Sequence, residues 1–186
     1  MTKLPMKITE LEIAGLLLLE PNVFHDERGF FLESWNQRTF DQAIGRHVEF
    51  VQDNRLRSSR GVLRGLHYQV APVSQGKLVS VLSGAIFDVA VDLRHESSTY
   101  GRSFGCKLTA EDHLMLWIPP GFAHGFLVTS DSADVAYKST GFYSPELERR
   151  IRWDDPDLAI PWPLRPGEPM LSNKDATAPL FRDLSL

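Results

Sequence analysis

Residues 61 to 84, GVLRGLHYQVAPVSQGKLVSVLSG, read as two apolar strands joined by a turn, and among the packing groups they carry Arg64, His67, Gln69 and Lys77. An imidazole and an ammonium placed close together suit proton chemistry. Removing a proton from carbon beside a ketone needs a base against the C–H bond and a cation or donor at the oxygen where enolate charge develops. His67 and Lys77 are of the right types for those two tasks. Each also has an ordinary reading: a core histidine bonded to a backbone carbonyl, or a lysine whose stem lies along apolar surface while its head stays in water.

Strand parity constrains the set. His67 and Gln69 lie two apart and share a face, whereas Arg64 falls on the opposite face of a regular strand. Either Arg64 points elsewhere or Gly65 supports a bulge that re-aims it. Lys77 begins the next strand after VAPVSQG, where Gly76 allows the chain to re-enter the sheet, and from there it can face His67. Inverting a carbon centre also requires a proton delivered to the other face of the carbanion, so a second acid is needed.

The 186 residues that must position these groups fit one domain by the soft prior of roughly 100 to 200 residues per domain. The formal charge is −4 and the pI about 5.9, with no dense run of lysine or arginine, so a nucleic-acid partner is not expected. The single cysteine, Cys106, cannot form an internal disulfide and reads as a small buried hydrophobe in a reducing compartment, with the cytoplasm as the expected location. Lys3 and Lys7 are followed by Glu10 and Glu12, and the apolar run AGLLLL is too short for a signal-peptide core or a membrane span, so no membrane partner is expected.

Twelve prolines and thirteen glycines punctuate short apolar runs, which points to an all-β domain. The pattern predicts strands over 7–13, 16–20, 29–35, 48–54, 61–69, 77–83, 85–93, 103–109, 114–118, 123–129 and 133–140. In GAIFDVAVDL, Ala85, Phe87, Val89, Val91 and Leu93 share one face and leave Asp88 and Asp92 on the other. So many short strands with turns every 8 to 12 residues or so suggest a sandwich or barrel. Two short helices are predicted: one in NQRTFDQAIG, capped by Asn36 and stopped by Gly45, and one in SPELER, with Ser144 at the cap and Pro145 at the first helical position. From 154 onward the chain is so rich in proline that it should lie as a tail over the body.

The segment WIPPGFAHGFLV, with Pro119, Gly121 and His124, resembles the second signature of the cupins, which are double-stranded β-helix (jelly-roll) barrels. Their first signature is His-x-His, a glutamate, six residues and a glycine. Here His67, Tyr68 and Gln69 stand at the first part, and six residues separate Lys77 from Gly84. The resemblance implies the barrel and removes the metal, because an ammonium in the carboxylate's place puts positive charge where a divalent ion would sit. No metal and no other cofactor is expected.

Within the cupins the chain resembles the dTDP-4-dehydrorhamnose 3,5-epimerases, which invert C3 and C5 of dTDP-4-keto-6-deoxyglucose. The likeness runs from FHDERGFFLESW through VQDNRLRSSRGVLRGLHYQ, QGKLVSVLSGAIFDVAVDLR, IPPGFAHGF and AYKSTGFYSPELE to WDDPDLAIPWP and LSNKDA. It implies His67 as the base, held by Asp175; Tyr137 as the proton donor; and Lys77 near the C4 oxygen. It implies Arg64 for the diphosphate, polar contacts from Gln52 and Asn54, and Arg28 and Glu33 on an arm that crosses to a partner subunit. Phe30 and Tyr143 match aromatic positions near the thymine, and His124, Glu148 and Lys174 match further substrate-contacting positions. A homodimer with exchanged N-terminal strands, in about residues 1–50, and a tail over about 154–186 complete the expectation of one domain over residues 1–186.

Three departures from the family pattern stand out: Leu56 in DNRLRSS, His95 and Glu96 in RHESSTYG, and Arg150 in ELERRIRW. Three alternatives stay open at this stage. One is an epimerase acting at C3 alone or C5 alone of a related dTDP-4-keto-deoxysugar in secondary-metabolite sugar synthesis; another is a metal-dependent cupin oxygenase or isomerase; the third is a cupin that binds the sugar without turning it over.

Overall fold

The computed structural model describes residues 6–184, so Lys3 lies outside the described residues. Two antiparallel sheets carry the fold. The first runs in the order β1 (Met6–Glu10), β2 (Leu17–Pro21), β10 (Met115–Ile118), β7 (Lys77–Ser83), β12 (Ser132–Ser139) and β5 (Gln52–Ser59). The second runs β13 (Glu148–Arg150), β6 (Leu63–Gln69), β11 (Phe122–Val128), β8 (Ala85–Asp92) and β9 (Ser103–Thr109). A separate hairpin, β3 (Val23–Asp26) with β4 (Gly29–Leu32), stands apart from both. The crossovers between sheets make this the jelly-roll barrel that the cupin resemblance implied.

Three apolar layers hold it together. Val79, Val81, Ile86, Leu108, Leu116, Phe126 and Val135 fill the space between the sheets. Outside the five-stranded sheet, Val89, Val91, Leu93 and Leu127 are covered by Ile151, Leu158 and Trp162 of the proline-rich segment, so the tail lies on its own barrel. That cover explains why the valine face of β8 is the outer face while Asp88 points inward with Ile86 and Ala90. Outside the six-stranded sheet, Leu17, Leu78, Met115 and Trp117 pack against Phe40 of α1 (Gln37–Ile44). That helix is the predicted one: Asn36 accepts from the Thr39 amide at 3.2 Å, and Gly45, at φ 75°, ends it.

Several expectations are corrected. The predicted hairpin of residues 61–84 does not form, because β6 and β7 belong to different sheets and the loop between them crosses the barrel. His67 and Lys77 therefore lie on facing walls. The SPELER helix is a single turn followed by β13, since the edge of β6 offers unpaired backbone: Val70 donates to Leu147 at 3.1 Å and Ile151 to Leu66 at 3.0 Å. The strand expected over 48–54 runs over Gln52–Ser59, paired along its length with β12. The strand expected over 29–35 is the second arm of a hairpin whose first arm, β3, the pattern missed, and helix α2 (Asn173–Ala176) was not anticipated in the tail.

Candidate active site

The interior group begins at a bulge. His67 pairs with His124 across β6 and β11, and Arg64 pairs with Phe126, so three residues on β6 are spanned by two on β11. The extra residue reverses the parity and brings Arg64 to the side of the strand that carries His67. Gly65 makes this possible: at φ 125° a Cβ would stand 2.5 Å from the Gly125 Cα, closer than any side chain tolerates. Arg64 donates through Nε to the Ser58 hydroxyl at 3.0 Å, and its charge reaches Tyr137.

His67 meets Asp175 at 2.5 Å, Nε2 to Oδ1. A carboxylate only accepts, so Nε2 carries the hydrogen and Nδ1 keeps a lone pair. Asp175 comes from α2 and is fixed there by a cap: Ser172 donates its hydroxyl to Oδ2 at 2.8 Å and accepts from the Asp175 amide at 3.1 Å. Arg150 approaches the same carboxylate, its Nε at 3.7 Å from Oδ1. Burial works to raise the Asp175 pKa, but the hydrogen bond and charge of His67, then Ser172 and Arg150, outweigh it and hold the carboxyl below its usual range.

The facing wall carries Lys77 on β7 and Tyr137 on β12, with the Lys77 Nζ 5.9 Å from the centre of the Tyr137 ring. Burial lowers the Lys77 pKa to about 8, against the opposing pull of Asp88 and Glu148. Burial, with the charge of Glu148, raises that of Tyr137, so its phenol keeps its proton at neutral pH, although Arg64 pulls the other way. Behind His67, His124 meets Asp88 at 2.7 Å through Nε2. Burial pushes the His124 pKa down more than Asp88 raises it.

Around this group, Gln52 donates to Asn54 at 2.9 Å and accepts from the Tyr143 amide at 3.0 Å. Glu148 takes the Tyr143 hydroxyl at 3.4 Å and pairs with Arg150. Gln69, singled out beside His67, is structural: it donates to the carbonyls of Val73 and Phe142 and accepts from the Ser144 amide, tying two loops together. Arg28 and Phe30 are not in the group. They stand exposed on the β3–β4 hairpin, Arg28 paired with Asp26 and Phe30 against His113. Glu33 follows the hairpin and holds one buried carboxylate oxygen without a partner among the described residues. Lys174 is exposed on α2, lining a groove with Tyr68 and Arg149.

The sequence reading missed three residues of this group. Asp88 was visible as one of two aspartates opposite the valines of β8. Ser172 was visible as Ser-x-x-Asp, a capping pattern. Arg150 was noted only as a departure. Among the described residues no three His, Cys, Asp or Glu side chains gather as a metal ion requires, and no helix is long and apolar enough to cross a membrane.

Residues 10–183 match the family profile of dTDP-4-dehydrorhamnose 3,5-epimerase. A dTDP-4-dehydrorhamnose 3,5-epimerase of Pseudomonas aeruginosa is 55% identical over 178 residues, which is 96% of this chain and 97% of that protein. One of Shigella flexneri is 53% identical over 178 residues, with the same coverage of 96% and 97%. Among solved structures, the dTDP-6-deoxy-D-glucose-3,5-epimerase of Legionella pneumophila in complex with dTDP-4-keto-L-rhamnose superposes with a TM-score of 0.93 at 50% identity, over 96% of this chain and 94% of that one.

Proposed function

The chain belongs to the dTDP-4-dehydrorhamnose 3,5-epimerase family, and from that membership we propose that it inverts C3 and C5 of dTDP-4-keto-6-deoxyglucose on the way to dTDP-L-rhamnose. The observation that carries the reading is the division of labour between the walls: a carboxylate-backed imidazole on one sheet, and a buried ammonium beside a protonated phenol on the other.

His67 takes the proton from carbon beside the C4 ketone through Nδ1, and Asp175 stabilises the imidazolium that forms. The electron pair moves to the C4 oxygen, where the Lys77 ammonium steadies the enolate. Tyr137 gives its phenolic proton to the opposite face of the same carbon and recovers one from solvent, while His67 gives up the proton it took. The sequence repeats at the second carbon. No redox change occurs, and an ammonium does the work of a Lewis acid, so the reaction calls for no cofactor.

Arg64 takes the diphosphate through its planar fork. Gln52, Asn54, His124, Glu148 and Lys174 contact the nucleotide sugar, with Tyr143 stacked near the thymine, a contact worth about 1–3 kcal/mol. The exposed rings of Phe24, Phe30 and Phe31 on the β3–β4 hairpin support a homodimer in which the first 50 residues or so reach the neighbouring subunit. Arg28, Phe30 and Glu33 then complete the partner's site. The whole chain acts as one domain, with the segment from about 154 as its tail, in the cytoplasm.

Incubation with dTDP-4-keto-6-deoxyglucose in D₂O, followed by product NMR, tests this. Deuterium at both C3 and C5, with both centres inverted, is expected. Label at one carbon alone makes the protein a single-centre epimerase, and binding without any label makes it a sugar-binding cupin.

A further inference from the structure

Strand β8 carries two aspartates on its inner face, Asp88 and Asp92, both fully buried, and their surroundings differ in kind. Asp92 is saturated. Its oxygens accept from the Arg94 backbone amide, from Arg94 Nε and its guanidinium NH₂, and from the hydroxyls of Ser97 and Thr99, all at 2.6–3.0 Å. Burial opposes its charge, but that set of donors holds its carboxyl far below the usual range. Its work is to anchor the turn after the strand.

Asp88 makes one hydrogen bond, from His124, and its Oδ2 is buried with no partner among the described residues. A buried carboxylate oxygen left bare is an energetic liability, and structural aspartates avoid it, as Asp92 does. Its cross-strand neighbours are Cys106 on β9 and Phe126 on β11, an apolar setting in which a charge has long reach.

We propose that Asp88 is a positioning residue of the epimerisation: one oxygen fixes the ring of His124, and the bare oxygen is the counter-charge that keeps the Lys77 ammonium in place against the enolate. This rests on the reading that Lys77 steadies the C4 oxygen. Asp88 and Glu148 are the two carboxylates whose charge acts on Lys77, through space and not as a contact ion pair, and the Lys77 charge in turn reaches His124, the ring that Asp88 holds. Cys106 is pushed up to about 12, chiefly by burial and then by Asp88, so it stays a neutral thiol. Burial pushes the His124 pKa down, which favours its neutral form, and Tyr137 keeps its phenolic proton. His67 is engaged by Asp175. Glu148, the other anion that supports Lys77, is already paired with Arg150.

Asp88→Asn tests this, because the amide keeps the volume and can still accept from His124 while removing the charge. Epimerisation of dTDP-4-keto-6-deoxyglucose is followed across pH 6 to 10 for both proteins, alongside an NMR titration of the Lys77 side chain in each. The expected result is an alkaline limb of kcat/KM about one pH unit lower in the variant, a matching shift in the Lys77 titration, and a fall in kcat of about 10- to 100-fold at pH 8 with KM little changed. A uniform loss at every pH with an unmoved limb and unmoved Lys77 titration makes Asp88 merely structural and overturns the inference, while leaving the epimerase reading intact. Wild-type protein that turns over no substrate overturns both. Should the amide not be accommodated, Asp88→Ser, smaller and equally neutral, carries the same comparison.

Discussion

His67 and His124 face each other across one pair of strands, and each gives its Nε2 hydrogen to an aspartate, yet the two pairs live in different solvents. The His67 side chain is 28% exposed and its aspartate arrives from the tail, whereas His124 and Asp88 are 7% and 0% exposed and both belong to barrel strands. Burial makes protonation of His124 unfavourable, and the nearby charges of Lys77 and His67 add to that after the opposing pull of Asp88. In the proposed mechanism His67, the more open of the two, takes a proton from carbon, and Asp175 stabilises the cation. On that proposal the same two residue types give a base in one place and a fixed neutral ring in the other, and the surroundings decide which.

The sharpest way to break this contrast is to remove each imidazole in turn. His67→Ala should lower kcat by about 10² to 10⁴ and leave the thermal midpoint almost unchanged, because the side chain is partly open. His124→Ala should act on stability: it strands Asp88 without its one hydrogen-bond donor, a loss of about 1–3 kcal/mol read from the denaturant midpoint. Equal stability losses from the two substitutions would erase the distinction between open and sealed pairs.

Lys77 sharpens the contrast from the facing wall. Lys77→Met should reduce kcat by about 10² to 10³ through loss of enolate stabilisation. It should also raise the thermal midpoint, since in the unfolded chain the ammonium persists to about pH 10.5 and in the barrel only to about 8. Between those values the unfolded state binds more protons and stability rises with pH; below about 8 the full penalty, on the order of 3 kcal/mol, is present. By the same sign, kcat/KM of the native enzyme should decline as pH rises through about 8. The smallest expected effect is at the tail: Ser172→Ala loosens the cap that holds Asp175, lowering stability by about 1 kcal/mol and kcat several-fold. If kcat is untouched, the tail does not orient the base.

Much of this was legible in the sequence because it depends on local chemistry. Alternation placed most strands, Asn36 and Gly45 bounded α1, and the resemblance of RGLHYQ, PPGFAHGF and LSNKDA to one family implied His67 and Asp175, which lie 108 residues apart in sequence and meet in the barrel. What failed depended on distant pairing. Residues 61–84 look like a hairpin because proximity in sequence suggests pairing, whereas each strand finds its partners on a different sheet. SPELER has the residues of a helix start, yet the unpaired edge of β6 claims its backbone. Asp88 stood out opposite the valines but could not be placed in the interior, because alternation tells which residues share a face and not which face the tail will cover.

The central claim is that base and acid approach the sugar from opposite walls, and Tyr137→Phe in D₂O tests it most directly. Without the phenol, His67 still removes the proton and returns deuterium to the same face. NMR should therefore show deuterium entering C3 or C5 of dTDP-4-keto-6-deoxyglucose with configuration retained, and this label should vanish when His67→Ala is added. Inversion by Tyr137→Phe at the wild-type rate would contradict the account, because the second proton would then come from somewhere other than the facing wall.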